Sequence, residues 1–300
     1  MYVIIGATGN TGSAVANKLL ANGKKVRVVG RNASHLAPFA AKGAEPFTAD
    51  VTDQSAITKA FAGAEAVYVM IPPDPTTKDY LAYTNQVSET LATAIQNNQV
   101  RNAVSLSSVG ADKSAKTGPI VALHRFEERL NRISGLNVLH LRPAYFMENT
   151  LGQANAIAQM GSTAGPLPAD FKFPIIAARD IGDYAAGALS RLDFSAHQVQ
   201  ELHGHRDLSY ADITTIIGKA IGKLDLKYSQ LMPEQFQGAL IQMGMSPHFA
   251  GLLSEMSDSM AAGYIDPLQP RSPQNTTPTS YETWVAENLL PIYQKLRPAA

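Results

Sequence analysis

Short apolar runs alternate with longer amphipathic segments over the first 145 residues. The apolar runs, rich in Val, Ile and Ala, lie at residues 2–5, 25–30, 44–50, 64–71, 102–108 and 136–143. Between them, apolar residues recur at helical spacing, most clearly at 11–23, 77–100 and 119–135. The alternation predicts an α/β fold of the Rossmann type, in which six strands form a doubly wound parallel sheet.

The pattern changes after about residue 150. Residues 150–170 predict a helix and a loop, and residues 173–192 predict one further strand and helix that return to the sheet. From residue 208 on, the chain is predicted to be chiefly helical, with a polar, Pro-rich connector at 267–280. The predicted division is an NADP-binding Rossmann domain at 1–150, to which 172–192 return, and a smaller, mostly helical substrate lobe made of 151–171 and 193–300.

Composition excludes several classes of function. Lys plus Arg and Asp plus Glu number 25 each, so no global field attracts nucleic acid or an anionic membrane. The chain has no cysteine, which excludes disulfides, thiolate metal sites and a cysteine nucleophile. It has neither a long apolar run nor a basic region ahead of its first apolar run, so we expect no spanning helix and no signal peptide. These features predict a cytoplasmic monomer or homodimer that binds neither nucleic acid nor membrane.

The stretch GATGNTG, residues 6–12, directly follows the first predicted strand and opens the first helix. Such a turn binds a pyrophosphate: one glycine allows the tight turn, one lets the phosphates approach, and one lets helix and strand pack closely. The helix N-terminus adds free N–H groups and a partial positive charge. An ordinary strand-to-helix turn is the alternative. The candidate cofactor residues here are Gly6, Thr8, Gly9, Asn10, Thr11 and Gly12.

The end of the second strand indicates which dinucleotide binds. An NAD site normally places an acidic residue there, whereas a 2′-phosphate requires a cation. This chain has Arg31 and Asn32 at that position and no acidic residue before Glu45, which favours NADP(H). The alternative is that Arg31 is a solvated surface charge.

The next two strand ends complete the predicted cofactor site. Asp50 and Val51 follow the third strand, where the adenine edge is expected, although Asp50 could instead cap the helix that begins near Asp53. The fourth strand ends in residues that we expect to form a wall of the cofactor crevice: Met70, Ile71 and Pro72.

Five segments carry a resemblance to a known family. They are GATGNTG, VVGRN, SLSSVGA, HRFEERLNRISGLNVLHLRPAYFMEN and RDIGDYAAGAL, in that order. With them the chain resembles the NmrA-like branch of the atypical short-chain dehydrogenases/reductases over nearly its whole length. The branch includes NADP-sensing regulators, type 2 quinone oxidoreductases, triphenylmethane dye reductases and plant reductases of phenolic ethers. The resemblance implies a Rossmann domain, a small C-terminal substrate lobe and a preference for NADP(H).

The chain departs from ordinary short-chain dehydrogenases at the catalytic helix. Those enzymes use Tyr-x-x-x-Lys after the fifth strand, and residues 117–130 contain no such pair. His124 stands about where the family has a lysine or histidine, and Ser107 and Ser108 stand where it has a serine or threonine. The candidate catalytic residues, also expected to contact the cofactor, are His124, Tyr145 and Ser107. The alternatives are a structural histidine and a core aromatic residue.

These observations predict an NADPH-dependent oxidoreductase that transfers hydride to a small conjugated acceptor, with a quinone as the first candidate. Such an acceptor needs little acid from the protein because the developing anion is delocalised. The rival hypothesis is an NADP(H)-binding redox sensor without turnover that acts through a protein partner. A nucleotide-sugar enzyme is disfavoured, since it requires the missing tyrosine. We expect no metal site, because His203 and His205 have no evident third ligand.

Overall fold

The computed structural model describes residues 1–296. Its strands are β1 Tyr2–Ile5, β2 Val26–Gly30, β3 Glu45–Thr48, β4 Ala66–Val69, β5 Asn102–Leu106, β6 Asn137–Pro143, β7 Tyr145–Phe146, β8 Ser162–Gly165, β9 Lys172–Ile176, β10 His197–Leu202, β11 Arg206–Ser209 and β12 Lys227–Gln230. Its helices are α1 Asn10–Ala21, α2 Ala33–Ala40, α3 Gln54–Ala60, α4 Tyr80–Asn97, α5 Ile120–Asn131, α6 Gln153–Met160, α7 Ala178–Arg191, α8 Tyr210–Ile221, α9 Pro233–Gln242, α10 Pro247–Ala261, α11 Tyr281–Trp284 and α12 Leu290–Leu296. A short 3₁₀ helix, Met147–Thr150, follows β7, and a π-helical turn, Val285–Leu289, joins α11 to α12.

The main sheet has seven parallel strands in the order β10-β6-β5-β4-β1-β2-β3. All six predicted strands form within their predicted bounds, which confirms the Rossmann-type α/β fold. The strand order reverses between β1 and β4. In doubly wound sheets, ligands bind at this switch point, beyond the carboxyl ends of the strands.

Helices cover both faces of the sheet. On one face α1, α2 and α7 bury side chains such as Val15, Leu36 and Ile181. On the other face α3, α4 and α5 bury side chains such as Leu91 and Phe126. The β1 and β4 strands are buried along their whole length, which explains why they read as continuous apolar runs.

For the segment 172–192, the structure agrees with the predicted position of the helix but not with that of the strand. Helix α7 returns to the main sheet and packs along α1. Strand β9, however, lies in a separate three-stranded sheet of order β11-β9-β7. The seventh strand of the main sheet is β10, from a segment that we had expected to lie entirely in the substrate lobe.

The C-terminal lobe has its own core. It collects residues from β7, β9, α6, α8 and α11, with Tyr281 and Trp284 stacked at 5.8 Å between ring centroids. The predicted loop at 162–170 contains β8, which pairs with β12 in a small parallel sheet.

Within residues 1–296, no helix has the length and apolar character needed to span a membrane.

One buried histidine in the main sheet predicts a pH-dependent stability. His140 of β6 is 1% exposed; its Nε2–H donates to Asn131 Oδ1 at 2.9 Å, and Ser105 Oγ–H donates to Nδ1 at 2.6 Å. Burial lowers the pKa of His140 to about 4. In the unfolded chain this histidine has a pKa of about 6.5, so between about pH 6.5 and pH 4 the unfolded chain binds a proton that the folded protein does not. The free energy of unfolding therefore has its full value above about pH 6.5 and decreases as the pH falls toward 4.

We therefore expect His140→Asn to flatten the pH dependence. Between pH 7 and pH 5, its free energy of unfolding should fall by about 2 kcal/mol less than that of the parent protein. Urea unfolding at the two pH values measures the difference. An exposed histidine, His35, provides the matched control, since His35→Asn should show the same change in the free energy of unfolding between the two pH values as the parent protein. The same change in all three proteins would contradict the role given to His140.

Candidate active site

The glycine turn after β1 has the geometry that a pyrophosphate requires. Gly6 adopts a left-handed backbone with φ of +69°, and the Gly9 N–H donates to its carbonyl at 2.9 Å. A Cβ at Gly12 would lie 2.2 Å from Gly6 O, so only glycine permits this approach of helix to strand. Helix α1 begins after Gly9 without a side-chain cap and without an acid in its first turn. Its first N–H groups are therefore available to an anion.

The polar side chains of this turn have different roles. Thr8, Gly9 and Asn10 are exposed at its mouth, in reach of an incoming ligand. Thr11 is buried, and its Oγ1 accepts a hydrogen bond of 2.9 Å from the Tyr68 hydroxyl of β4. Thr11 thus joins α1 to the neighbouring strand and holds the turn in place.

Arg31 follows β2 and lies exposed at the edge of the sheet. No carboxylate in residues 1–296 forms an ion pair with it within 4 Å. Its charge nevertheless reaches two loops. The Thr52 hydroxyl hydrogen bond lowers the pKa of Asp50, and Arg31 acts in the same direction. The pKa of Asp74 is lowered by the hydrogen bond from the Thr76 hydroxyl and, to a smaller extent, by the charge of Arg31. The loops after β2, β3 and β4 therefore meet around an unpaired guanidinium.

The neighbouring residues are largely engaged in local structure. Asn32 is the N-cap of α2, where its Oδ1 accepts from the Ser34 N–H at 2.9 Å. Asp50 accepts from the N–H and the hydroxyl of Thr52, while Asp53 caps α3. The alternative that Asp50 caps this helix is therefore wrong. Val51 is 8% exposed and belongs to the core beneath the loop.

The end of β4 forms the wall between the glycine turn and a neighbouring cavity. Met70 Sδ would lie 2.7 Å from a Cβ at Gly6, so the thioether packs directly on the turn. Met70 and Ile71 line the cavity, as does Pro73. Pro72 is not part of the cavity lining, and its carbonyl accepts from the Tyr83 hydroxyl at 2.9 Å.

The cavity has a volume of about 340 Å³, at the small end of the range for ligand sites. It lies between the carboxyl ends of β4, β5 and β6, the start of α5 and the C-terminal lobe. Its wall is mainly apolar and aromatic. The residues that form its polar part are Ser107, Ser108, Tyr80, Tyr145, Asn149, Lys172 and Asp266.

Ser107 lines this cavity but gives its proton to a buried carboxylate. Its Oγ–H donates to Glu127 Oε1 at 2.5 Å. Glu127 also accepts two hydrogen bonds from Arg142, at 2.9 and 2.5 Å, in a pair of which both members are buried. The Ser107 oxygen therefore faces a ligand as an acceptor rather than as a donor.

His124 stands beside the cavity and is not part of its lining. Its Nδ1–H donates to the Ala111 carbonyl at 2.8 Å, and its Nε2 lies 3.9 Å from Glu128 Oε1. The side chains of α5 that do face the cavity are those of Ile120 and Leu123. A role for His124 at the reacting atoms remains a prediction.

Tyr145 of β7 is half-buried in the cavity wall. Its ring meets Phe173 edge-on at 5.2 Å. Burial raises the pKa of the Tyr145 phenol, so the group stays protonated at neutral pH. Tyr145 and Ser107 are thus brought to one cavity, with His124 behind its wall.

Sequence reasoning missed several residues of the site. Glu127 carried a signal, because it lies four residues after the cavity-lining Leu123, on the same face of α5. Arg142 carried none, since its partner Glu127 lies on a separate element, α5. Asn149, in the 3₁₀ helix after β7, also lines the cavity. His203 is buried against Glu201, with 3.2 Å between Nε2 and Oε2.

The chain was also compared with known proteins. The chain is similar to an NAD(P)H azoreductase of Xenophilus azovorans, with 27% identity over 258 residues, which covers 85% of this chain and 86% of the relative. Among solved structures it is similar to a nucleoside-diphosphate-sugar epimerase of Staphylococcus aureus, with a TM-score of 0.78, 20% identity and coverage of 95% and 99% of the two chains.

It is also similar to an NADPH-dependent quinone oxidoreductase of Escherichia coli that was solved with NADPH. The TM-score is 0.78 and the identity 23%, over 98% of this chain and 100% of that one. At this level of identity, the two structural likenesses support the fold alone. The profile of the NmrA-like family matches residues 2–286. The protein described here therefore belongs to the NmrA-like family, as its sequence motifs predicted.

Proposed function

We propose that this protein is an NADPH-dependent oxidoreductase that transfers hydride to a small conjugated acceptor, with a quinone as the first candidate. The observation that carries the proposal is the apolar cavity, which begins at Met70, directly beside the glycine turn. A nicotinamide that extends from a pyrophosphate on this turn would reach the cavity at the switch point of the sheet. The azoreductase to which the chain is similar supports the same class of reaction.

The residues present fit an NADP(H) molecule. The uncapped start of α1 would hold the pyrophosphate, and Arg31 would hold the 2′-phosphate. Ser107, as an obligate acceptor, would bind an N–H or O–H group of the cofactor. The bound cofactor would supply a hydride. The chain would bind and orient both partners and exclude water from the space between them.

The cavity suits an acceptor that needs little acid from α5. In place of Tyr-x-x-x-Lys, this helix offers Leu123 to the cavity, and its carboxylate Glu127 is held by Arg142. A quinone stores the electron pair in a delocalised anion, so protonation can follow from another group. Aromatic and apolar walls at Tyr145, Phe173 and Phe249 favour a flat, uncharged ring.

The proposal is tested by mixing the purified protein with NADPH and a panel of quinones, azo compounds, dyes and aldehydes. The loss of reduced-nicotinamide absorbance gives the rate, and NADH is run alongside. We expect oxidation with quinones and faster oxidation of NADPH than of NADH. Tight binding of NADPH without oxidation by any acceptor would overturn the proposal and favour the redox sensor, for which the missing Tyr-Lys pair is the supporting observation.

The role of Arg31 is tested separately. Arg31→Ala should weaken NADPH binding by ten- to a hundredfold, because a charge-assisted bond to phosphate contributes about 1.5–3 kcal/mol. NADH, which lacks the 2′-phosphate, should bind as before. Titration of each variant with NADPH and with NADH measures the change in affinity for each cofactor. The control is Arg132→Ala, which removes an exposed arginine at the C-cap of α5. Equal losses for NADPH and NADH would remove Arg31 from the phosphate site.

A further inference from the structure

Helix α10 forms part of the cavity wall with the apolar side chains of one face. Phe249, Met256 and Met260 all line the cavity, and their spacing of seven and four residues places them on the same side of the helix. Five of the chain's nine methionines lie within residues 232–260, and two of these five, Met256 and Met260, reach the cavity. Both are half-buried.

The backbone of α10 is fixed against the loop that precedes α5. The Gly118 N–H donates to Glu255 Oε1 at 3.1 Å, and the Ser259 hydroxyl donates to the Lys116 carbonyl at 2.5 Å. A Cβ at Gly118 would lie 2.0 Å from the Leu252 carbonyl oxygen, so helix and loop are in direct backbone contact. Because the helix is held in place, a change in the shape of this wall must come from its side chains.

The aromatic residues of the lining are held by neighbouring rings. Phe249 packs on Tyr80 with 4.5 Å between ring centroids. Tyr145 meets Phe173 edge-on at 5.2 Å, and Phe173 is buried. An aromatic side chain rotates about two bonds only, and a packed neighbour restricts both. These parts of the wall therefore keep their shape.

The two methionines are the adaptable part of the wall. Met256 packs against a small cluster that includes Ile120 and Ile265, and Met260 packs both there and against the core of the C-terminal lobe. A methionine side chain is unbranched, with three rotatable bonds and a polarizable sulfur, so it fills an irregular gap in several rotamers. This wall can therefore follow the outline of ligands that differ in size.

We propose that Met256 and Met260 determine the range of acceptors, because they change rotamer to fit flat rings of different size against the fixed aromatic wall. The inference rests on the proposed function and names its substrate class, which is planar quinones of one to three fused rings rather than a single quinone. A rigid apolar pocket discriminates by about 10- to 200-fold between ligands that differ by one methylene group. An adaptable wall gives up this discrimination.

The test is a double substitution that keeps the volume of the wall but stiffens it. Leucine has as many side-chain heavy atoms as methionine, has fewer rotatable bonds, and replaces it in cores with little loss of stability. NADPH oxidation is measured with 1,4-benzoquinone, menadione and 9,10-phenanthrenequinone, in the parent protein and in Met256→Leu combined with Met260→Leu. The ratio of variant to parent kcat/KM cancels the intrinsic reactivity of each quinone. We expect this ratio to be at least about tenfold lower for phenanthrenequinone than for benzoquinone, with menadione between them.

Met232→Leu combined with Met243→Leu is the matched control. Both methionines belong to the same segment, are exposed, and lie outside the cavity lining. The control should give one and the same ratio with all three quinones. Equal ratios in the double variant of Met256 and Met260 would overturn the inference. A parent protein that oxidises NADPH with none of the three quinones would overturn the proposed function as well.

A second measurement follows the two side chains directly in the parent protein. The methionine ε-methyl groups are labelled with ¹³C, and the protein is saturated with NADP⁺, which cannot reduce a quinone. Single Met→Leu substitutions assign the signals, and the ¹³C shift of each methyl group reports the rotamer about its Cγ–Sδ bond. We expect the Met256 and Met260 signals to take a different ¹³C shift with each quinone, while those of Met232 and Met243 stay in place. The same shift with all three quinones would contradict a change of rotamer and overturn the inference.

Discussion

Gly12→Ala is expected to destabilise the protein by at least about 3 kcal/mol and to abolish NADPH binding. The added Cβ would lie 2.2 Å from Gly6 O and 2.6 Å from Gly6 C, both backbone atoms of the strand-to-helix turn. Backbone atoms cannot rotate away as a side chain does, so α1 must separate from β1. Urea unfolding and titration with NADPH measure the two effects.

Gly9→Ala is the matched contrast, because the same substitution three residues earlier meets a different environment. Gly9 has φ of −92°, which alanine adopts easily, and its nearest atom to a new Cβ is Gly6 O at 3.4 Å. We expect the free energy of unfolding to change by less than about 1 kcal/mol. NADPH affinity should still fall strongly, because the methyl group occupies the exposed space where the phosphates approach. If Gly9→Ala binds NADPH normally, the pyrophosphate does not lie on this turn.

Glu127→Gln is expected to cost about 3–5 kcal/mol of stability, although the two side chains have nearly the same shape. Arg142 would keep its charge at a buried position and lose its carboxylate partner. Ser107 would lose the anionic acceptor that now holds its proton. The measurement is the free energy of unfolding in urea.

The adjacent residue provides a control for that experiment. Glu128 is exposed, with Arg132 Nη2 3.7 Å and His124 Nε2 3.9 Å from its oxygens. Glu128→Gln should therefore change stability by less than about 1 kcal/mol, as for other surface ion pairs. A double variant, Glu127→Met with Arg142→Met, should recover much of the loss, because no unpaired charge remains. A loss from Glu127→Gln as small as that from Glu128→Gln would contradict the buried pair.

The predictable part of the fold is the part governed by burial on both faces. Strands such as β1 and β4 are continuous apolar runs, since helices cover both sides of the sheet. Strand β10 escaped prediction because it is an edge strand: His197, Gln198 and Val199 are exposed, and polar residues dominate its sequence. The pairing of β8 with β12 was equally invisible, because it joins segments more than sixty residues apart.

In the candidate site, too, features set by local sequence could be predicted and features set by tertiary contacts could not. The glycine turn between β1 and α1 and the exposed Arg31 after β2 could be placed from a local spacing, and their cofactor roles stay predictions. The proton assignments could not. That Ser107 donates to Glu127 is a consequence of a tertiary contact between separate elements. Tyr145 was predicted from its position after β6, and the structure places its ring edge-on to Phe173 in the cavity wall.

The central claim is that the acceptor is reduced inside the cavity beside the glycine turn. Asn149 lines this cavity from an exposed position, so Asn149→Trp can fill the space without disturbing the core. The decisive measurement is the rate of NADPH oxidation by menadione, with NADPH affinity measured in parallel, in the parent protein and in this variant. We expect turnover in the parent, and in the variant at least a tenfold lower rate (roughly 1.4 kcal/mol) with unchanged NADPH affinity. Equal rates in the two proteins would place the reaction outside this cavity.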